Sequence, residues 1–167
     1  SSNPLDDVDT WKRAKPEFAD IDDDGDMDCF VGTTGGDIEY WMNTGNSTSP
    51  TFVEQTGSNN PFNSVDVGAK SDINCVDIDG DGDIDCFIGE SSSTINYYKN
   101  TGNSSSPTFT LTTGGNNPLN ITLYSAVTTS FVDIDGDGDI DCFIGELGGE
   151  AYYYKNTGNS TSPTLTL

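Results

Sequence analysis

Three nine-residue acidic loops recur along the chain: DIDDDGDMD at 20–28, DIDGDGDID at 77–85 and DIDGDGDID at 133–141. The sequence around them repeats in the same phase. SSNPLDDVDTWKRAKPEFADID at 1–22 aligns without a gap on SNNPFNSVDVGAKSDINCVDID at 58–79, an offset of 57. The third copy begins near Gly115 and loses one residue before Phe131, so the later offset is 56. Residues 76–90 and 132–146 are identical throughout, VDIDGDGDIDCFIGE. Internal repetition of this kind constrains the fold more than any local propensity does. The chain divides into units 1–57, 58–114 and 115–167, read as one contiguous domain.

Each loop presents Asp at relative positions 1, 3, 5, 7 and 9, with Gly at 6. This spacing converges hard oxygen ligands on one calcium ion around a tight turn. In the first loop Asp20, Asp22, Asp24 and Asp28 are expected to supply side-chain oxygens, and Asp26 its backbone carbonyl. The second loop repeats the set with Asp77, Asp79, Asp81, Asp83 and Asp85, and the third with Asp133, Asp135, Asp137, Asp139 and Asp141. Sixteen of the 28 acidic residues lie in these windows. Carboxylates ~5 Å apart, at an effective dielectric of ~20, repel by roughly 3 kcal/mol per pair. Three calcium ions, one per loop, are the expected compensation, with binding coupled to folding. Magnesium fits less well, because it demands octahedral geometry and keeps its waters. An EF-hand would need Glu at position 12, where this chain has Val31, Ile88 and Ile144.

A formal charge of −22 with six basic residues argues against nucleic acid as a partner. No apolar run reaches the ~20 residues that span a bilayer. Between the loops run short segments rich in Phe, Ile, Val and Tyr, bounded by Gly, Asn, Ser and Thr, as in an all-β chain with many turns. In the first unit strands are expected near 16–21, 27–32, 37–43 and 50–55, the first two flanking the acidic loop as a hairpin. The third carries Ile38-Glu39-Tyr40-Trp41-Met42, with counterparts at 95–99 and 151–155, and ends in NTG at 43–45, 100–102 and 156–158. No segment shows sustained 3.6-residue periodicity, so no helix is expected.

DxDxDGxxD, an apolar strand ending in Gly, an aromatic strand and NTG together resemble the FG-GAP/VCBS repeats. That family builds the calcium-bearing blades of integrin-like β-propellers. The resemblance covers essentially the whole chain. It implies three tandem four-stranded propeller-type blades, with calcium held by the Asp at 1, 3, 5 and 9 and the carbonyl at 7. Closed propellers usually have about four to eight blades. Three blades therefore point either to a larger parent or to completion by other copies of the chain.

The terminal segment Ser162–Leu167 reads as a strand edge open to pairing. The cluster Lys12-Arg13-Lys15 is a candidate for docking on a neighbour's acidic face, or else a solvated basic turn. Asn46, Asn103 and Asn159 are N-x-[ST] acceptors at equivalent turns, and Asn120 is a fourth. They are candidate glycosylation sites, or simply turn residues bonded to their own backbone. Cys29, Cys86 and Cys142 share one repeat position. Cys75 stands where units one and three have Phe18 and Phe131, so Cys75 and Cys86 could pair across a hairpin. There is no histidine, and Glu39, Glu54, Glu90, Glu146 and Glu150 form no catalytic motif, so no catalytic residues and no enzyme are expected. The reading that emerges is an extracellular or cell-surface, calcium-stabilised structural protein that self-assembles into a filament, ring or layer, or serves adhesion. The alternatives are a lectin-like module, in which Trp41, Tyr97, Tyr98 and Tyr152 to Tyr154 stack on glycans, and a fragment of a larger closed propeller.

Overall fold

A computed structural model describes residues 3–6, 14–92, 94–121, 123 and 127–167. The fold is all-β, with three four-stranded antiparallel sheets, one per sequence unit. Sheet 1 is a meander of β1 (Lys15–Ala19), β2 (Asp28–Gly32), β3 (Ile38–Asn43) and β4 (Phe52–Gln55). Sheet 2 follows with β5 (Asp72–Val76), β6 (Asp85–Gly89), β7 (Ile95–Asn100) and β8 (Phe109–Thr112). Sheet 3 comprises β9 (Val127–Val132), β10 (Asp141–Glu146), β11 (Ala151–Asn156) and β12 (Leu165–Thr166). Each acidic loop is the hairpin loop between the first two strands of its sheet. β1 ends at Ala19, short of the expected boundary, because Asp20 turns its carboxylate onto the N–H groups of Asp24 and Gly25.

The expectation of no helix needs one correction. Gly57–Asn59 and Gly114–Asn116 each form a single 3-10 turn after the fourth strand. A three-residue turn is too short to leave a periodic signal.

Register places Phe18 opposite Cys29 and Cys75 opposite Cys86. Cys75 and Cys86 are joined by a disulfide, with Cα atoms 4.2 Å apart. Cys29 and Cys142 are buried free thiols. Burial pushes their pKa values up to about 11 and about 12, respectively.

The sheets pack face to face in sequence order. β1 lies against β5, and β5 against β9. The repeat rule is plain at both junctions. In sheet 1, Phe30 and Tyr40 stack at 4.8 Å, and Phe62 of the next unit meets Phe30 edge-on at 5.7 Å. Ile21 and Ile38 complete that face, which packs on Val67, Ile73, Cys86, Ile88 and Tyr98 of unit 2. In sheet 2, Phe87 and Tyr97 stack at 4.7 Å, and Phe131 of unit 3 stacks on Phe87 at 4.6 Å. Leu119, Cys142, Ile144 and Tyr154 belong to the same cluster. A face of Ile, Phe and Tyr is thus covered each time by the Cys, Ile and Tyr face of the next unit.

The glycines ending β2 and β6 make the approach possible. A Cβ on Gly32 would lie 2.4 Å from the Ser71 carbonyl oxygen, and one on Gly89 2.8 Å from that of Val127. Polar contacts reinforce the first junction. Thr33 N–H donates to Ser71 Oγ at 2.8 Å, and Glu17 accepts from Cys75 N–H at 3.3 Å. Lys15 Nζ pairs with Asp72 at 2.6 Å. Lys15 is therefore committed to the adjoining unit of its own chain, which removes it from the docking cluster expected from sequence. Lys12 and Arg13 lie outside the described residues.

The terminal edge strand is not special. β12 pairs with β11 and is the outer strand of its sheet, as β4 and β8 are of theirs.

Candidate metal centre

Glycine geometry shapes the loops. Gly25, Gly82 and Gly138 at position 6 have φ of 91°, 89° and 92°, the left-handed region where a side chain is strained. Position 4 is also left-handed, with Gly80 at 65°, Gly136 at 75° and Asp23 at 58°. Asp is among the few residues that enter this region readily.

These turns bring positions 1, 3 and 5 together. One carboxylate oxygen from each of Asp20, Asp22 and Asp24 lies within 4.8 Å of the others. The same holds for Asp77, Asp79 and Asp81 and for Asp133, Asp135 and Asp137. The backbone holds them there. Asp20 accepts from Asp24 N–H at 3.1 Å and Gly25 N–H at 3.0 Å. Asp77 accepts from Gly82 N–H and Asp133 from Gly138 N–H, both at 3.0 Å. The position-5 carboxylates accept from the N–H of position 7, which fixes Asp26, Asp83 and Asp139 in the turn.

Position 9 is tied to the third strand of its sheet. Asp28, Asp85 and Asp141 are buried and are not in the three-oxygen clusters. Asp28 accepts from Tyr40 OH and from Asn43 N–H, both at 2.7 Å. Asp85 does the same with Tyr97 and Asn100, and Asp141 with Tyr153 and Asn156. The Asn side chain then organises the NTG turn. Asn43 Oδ1 accepts from Gly45 and Thr51 N–H, both at 3.0 Å. These Tyr and Asn partners were not singled out from the sequence as site residues. Their signal was there, since each recurs at the same distance from its loop in all three units.

Several oxygens lack partners within the protein. Asp22 Oδ1, Asp77 Oδ1 and Asp79 Oδ1 are buried and accept no hydrogen bond. A buried carboxylate oxygen without a donor costs several kcal/mol unless a cation meets it. The donor set is all oxygen and anionic, which suits a hard divalent ion. Burial, then the charges of Asp24 and Asp20, raise the Asp22 pKa above the ordinary carboxylate value. Asp28 and Asp85 are each pushed up to about 6, chiefly by burial and against the pull of their Tyr and Asn donors.

The exposed turns carrying Asn46, Asn103 and Asn159 close on themselves. Thr48 N–H and Oγ donate to Asn46 Oδ1 at 3.1 and 2.8 Å, and Ser105 and Thr161 repeat this on Asn103 and Asn159. Asn120 is also exposed, and its sequon partner Thr122 lies outside the described residues. Among the rings considered for sugar stacking, Trp41, Tyr97, Tyr98 and Tyr154 are buried.

No helix among the described residues is long and apolar enough to cross a membrane. Compared with known proteins, the sequence matches no family model and no curated protein.

Proposed function

We propose that this chain is a calcium-stabilised structural repeat protein of the FG-GAP/VCBS kind, with propeller-type blades, and that copies join head to tail through the faces at its two ends. Three ions bind, one per acidic hairpin. Carboxylates at positions 1, 3 and 5 hold each ion together with the carbonyl at 7 and carboxylate at 9, and bidentate binding or water brings these five groups to the six to eight oxygens calcium takes. The ion supplies charge compensation and rigidity. Extracellular calcium, being millimolar, fills loops of this class, so the setting is extracellular or cell-surface.

One observation carries the assembly reading. The face of Ile, Phe and Tyr that is covered in units 1 and 2 lies open in unit 3. Ile21 and Ile78 are 2 % and 1 % exposed, whereas their equivalent Ile134 is 57 % exposed. Tyr40 and Tyr97 are 5 % and 3 % exposed, and Tyr153 is 38 %. Phe143 and Tyr153 still stack on each other at 5.0 Å, as the covered pairs do.

The internal junctions show what fits there. Phe131 covers Phe87, and its unit 1 equivalent Phe18 is 45 % exposed. Cys29, Val31 and Trp41 form the face that corresponds to Cys142, Ile144 and Tyr154. Cys29, Val31 and Trp41 are already buried within the chain, with Leu5 and Phe52 packed against them, so what unit 1 of a second copy would bring to the open face is the exposed Phe18 beside them. Contacts between two different faces build rings or open filaments.

The test is assembly state in millimolar calcium, read by electron microscopy and light scattering. Wild type is expected to give rings or filaments. Phe18→Asp and Phe143→Asp are each expected to give folded monomers, and an equimolar mixture of the two, dimers, since each keeps one intact face. A wild-type chain that stays monomeric at high concentration would overturn the assembly reading and favour cover by further repeats of a longer chain.

A further inference from the structure

We propose that Lys99 and Lys155 are built-in competitors of the metal, so that the three loops fill in order: the first tightly, the second and third weakly. The inference rests on the metal reading above and adds to it which residues set the affinity of each site.

Among the described residues, loops 2 and 3 contain a cation that loop 1 lacks. Lys99 Nζ, on β7, pairs with Asp79 and with Asp81, the latter at 3.2 Å. Lys155 Nζ, on β11, pairs with Asp135 and with Asp137, the latter at 3.2 Å. In both loops the lysine engages positions 3 and 5, two of the three carboxylates gathered for the ion. At the equivalent place on β3 stands Met42, which lines the same recess as Asp22. A thioether neutralises no charge.

Charge makes the difference larger. Loop 1 holds six Asp and no lysine, because Asp23 occupies position 4. Loops 2 and 3 hold five Asp each, with Gly80 and Gly136 at that position and one lysine folded in. The nominal charge is −6 at the first loop and −5 + 1 = −4 at each of the others.

An incoming divalent ion takes the oxygens of loop 1 without displacing a lysine from the third strand, where Met42 stands. In loops 2 and 3 it must expel an ammonium group or bind beside it, and like charges a few ångströms apart repel strongly. The lysines also leave those loops partly compensated when calcium is scarce. Loop 1 is then the calcium-responsive one. It borders the second unit, where Ser104 Oγ donates to Asp23 at 3.3 Å.

Calcium titration by calorimetry on the full chain tests this, comparing wild type, Met42→Lys and the double variant Lys99→Met with Lys155→Met. Wild type is expected to show one tight site and two at least about tenfold weaker. The double variant should bring all three into one affinity class, and Met42→Lys should abolish the tight class. Asp22→Asn should remove the tight site, and Asp79→Asn should leave it. Three equal sites in wild type, unmoved by the lysine substitutions, would overturn the ordering while leaving the metal reading intact. No calcium binding by wild type or the double variant would overturn both.

Discussion

Sheets 2 and 3 share the stretch VDIDGDGDIDCFIGE without a single difference, yet the same side chains meet different surroundings. Ile78, Phe87 and Tyr97 lie sealed beneath unit 3, while Ile134, Phe143 and Tyr153 face outward. Burial in this fold is therefore conferred by the next unit rather than by the unit's own sequence. That is how repeat architectures work: each unit offers a face it cannot bury alone. A second contrast lies within the covered pair. Only unit 2 carries a disulfide, because Cys75 faces Cys86 where Phe18 faces Cys29 and Phe131 faces Cys142.

The contrast can be broken most directly by truncating the shared phenylalanine. Phe87→Ala is expected to cost about 3–5 kcal/mol of stability in urea titrations, and Phe143→Ala about 1–2 kcal/mol. Equal costs would mean that the third face is already covered within one chain. Removing the disulfide as Cys75→Ser with Cys86→Ser is expected to cost about 2–3 kcal/mol, given the short loop it closes. A thiol assay on the folded protein should find Cys29 and Cys142 unreactive until denaturant is added, since burial both shields them and raises their pKa.

Gly89→Ala should cost about 2 kcal/mol, because the new methyl would press on the Val127 carbonyl. Gly145→Ala meets only a flexible Thr128 methyl, so it should be near neutral for folding and harmful to assembly. The smallest effect concerns pH in the metal-free protein. Asp28 and Asp85 have folded pKa values of about 6, above the ordinary carboxylate value. The native state then holds more protons than the unfolded chain between about pH 4 and 6, so stability should fall as pH rises through that window. Saturating calcium should abolish or reverse the slope, because the ion favours ionised carboxylates. Melting midpoints in chelator and in calcium across pH 4–7 would show it.

Much of this was legible in the sequence because the repeat wrote it three times. The four-strand unit, the hairpin position of each acidic loop, the glycine at position 6 and the Cys75–Cys86 pairing all follow from local pattern and register. What escaped depends on contacts between distant strands. The tyrosine hydroxyl on position 9 and the lysine on positions 3 and 5 come from the third strand, and pattern reading does not say which way those side chains lean. The Lys15–Asp72 ion pair went unforeseen for the same reason, since Asp72 lies a whole repeat away. The open face of unit 3 was hidden too, because Ile134, Phe143 and Tyr153 repeat Ile78, Phe87 and Tyr97 of a covered one.

On the proposed function, a divalent cation in each acidic hairpin holds this chain together. Thermal unfolding followed by circular dichroism, in chelator and then in millimolar calcium, addresses it most directly. Melting temperature is expected to rise on adding calcium and to saturate with three ions per chain. Identical melting curves in both conditions, with no ion bound, would contradict it.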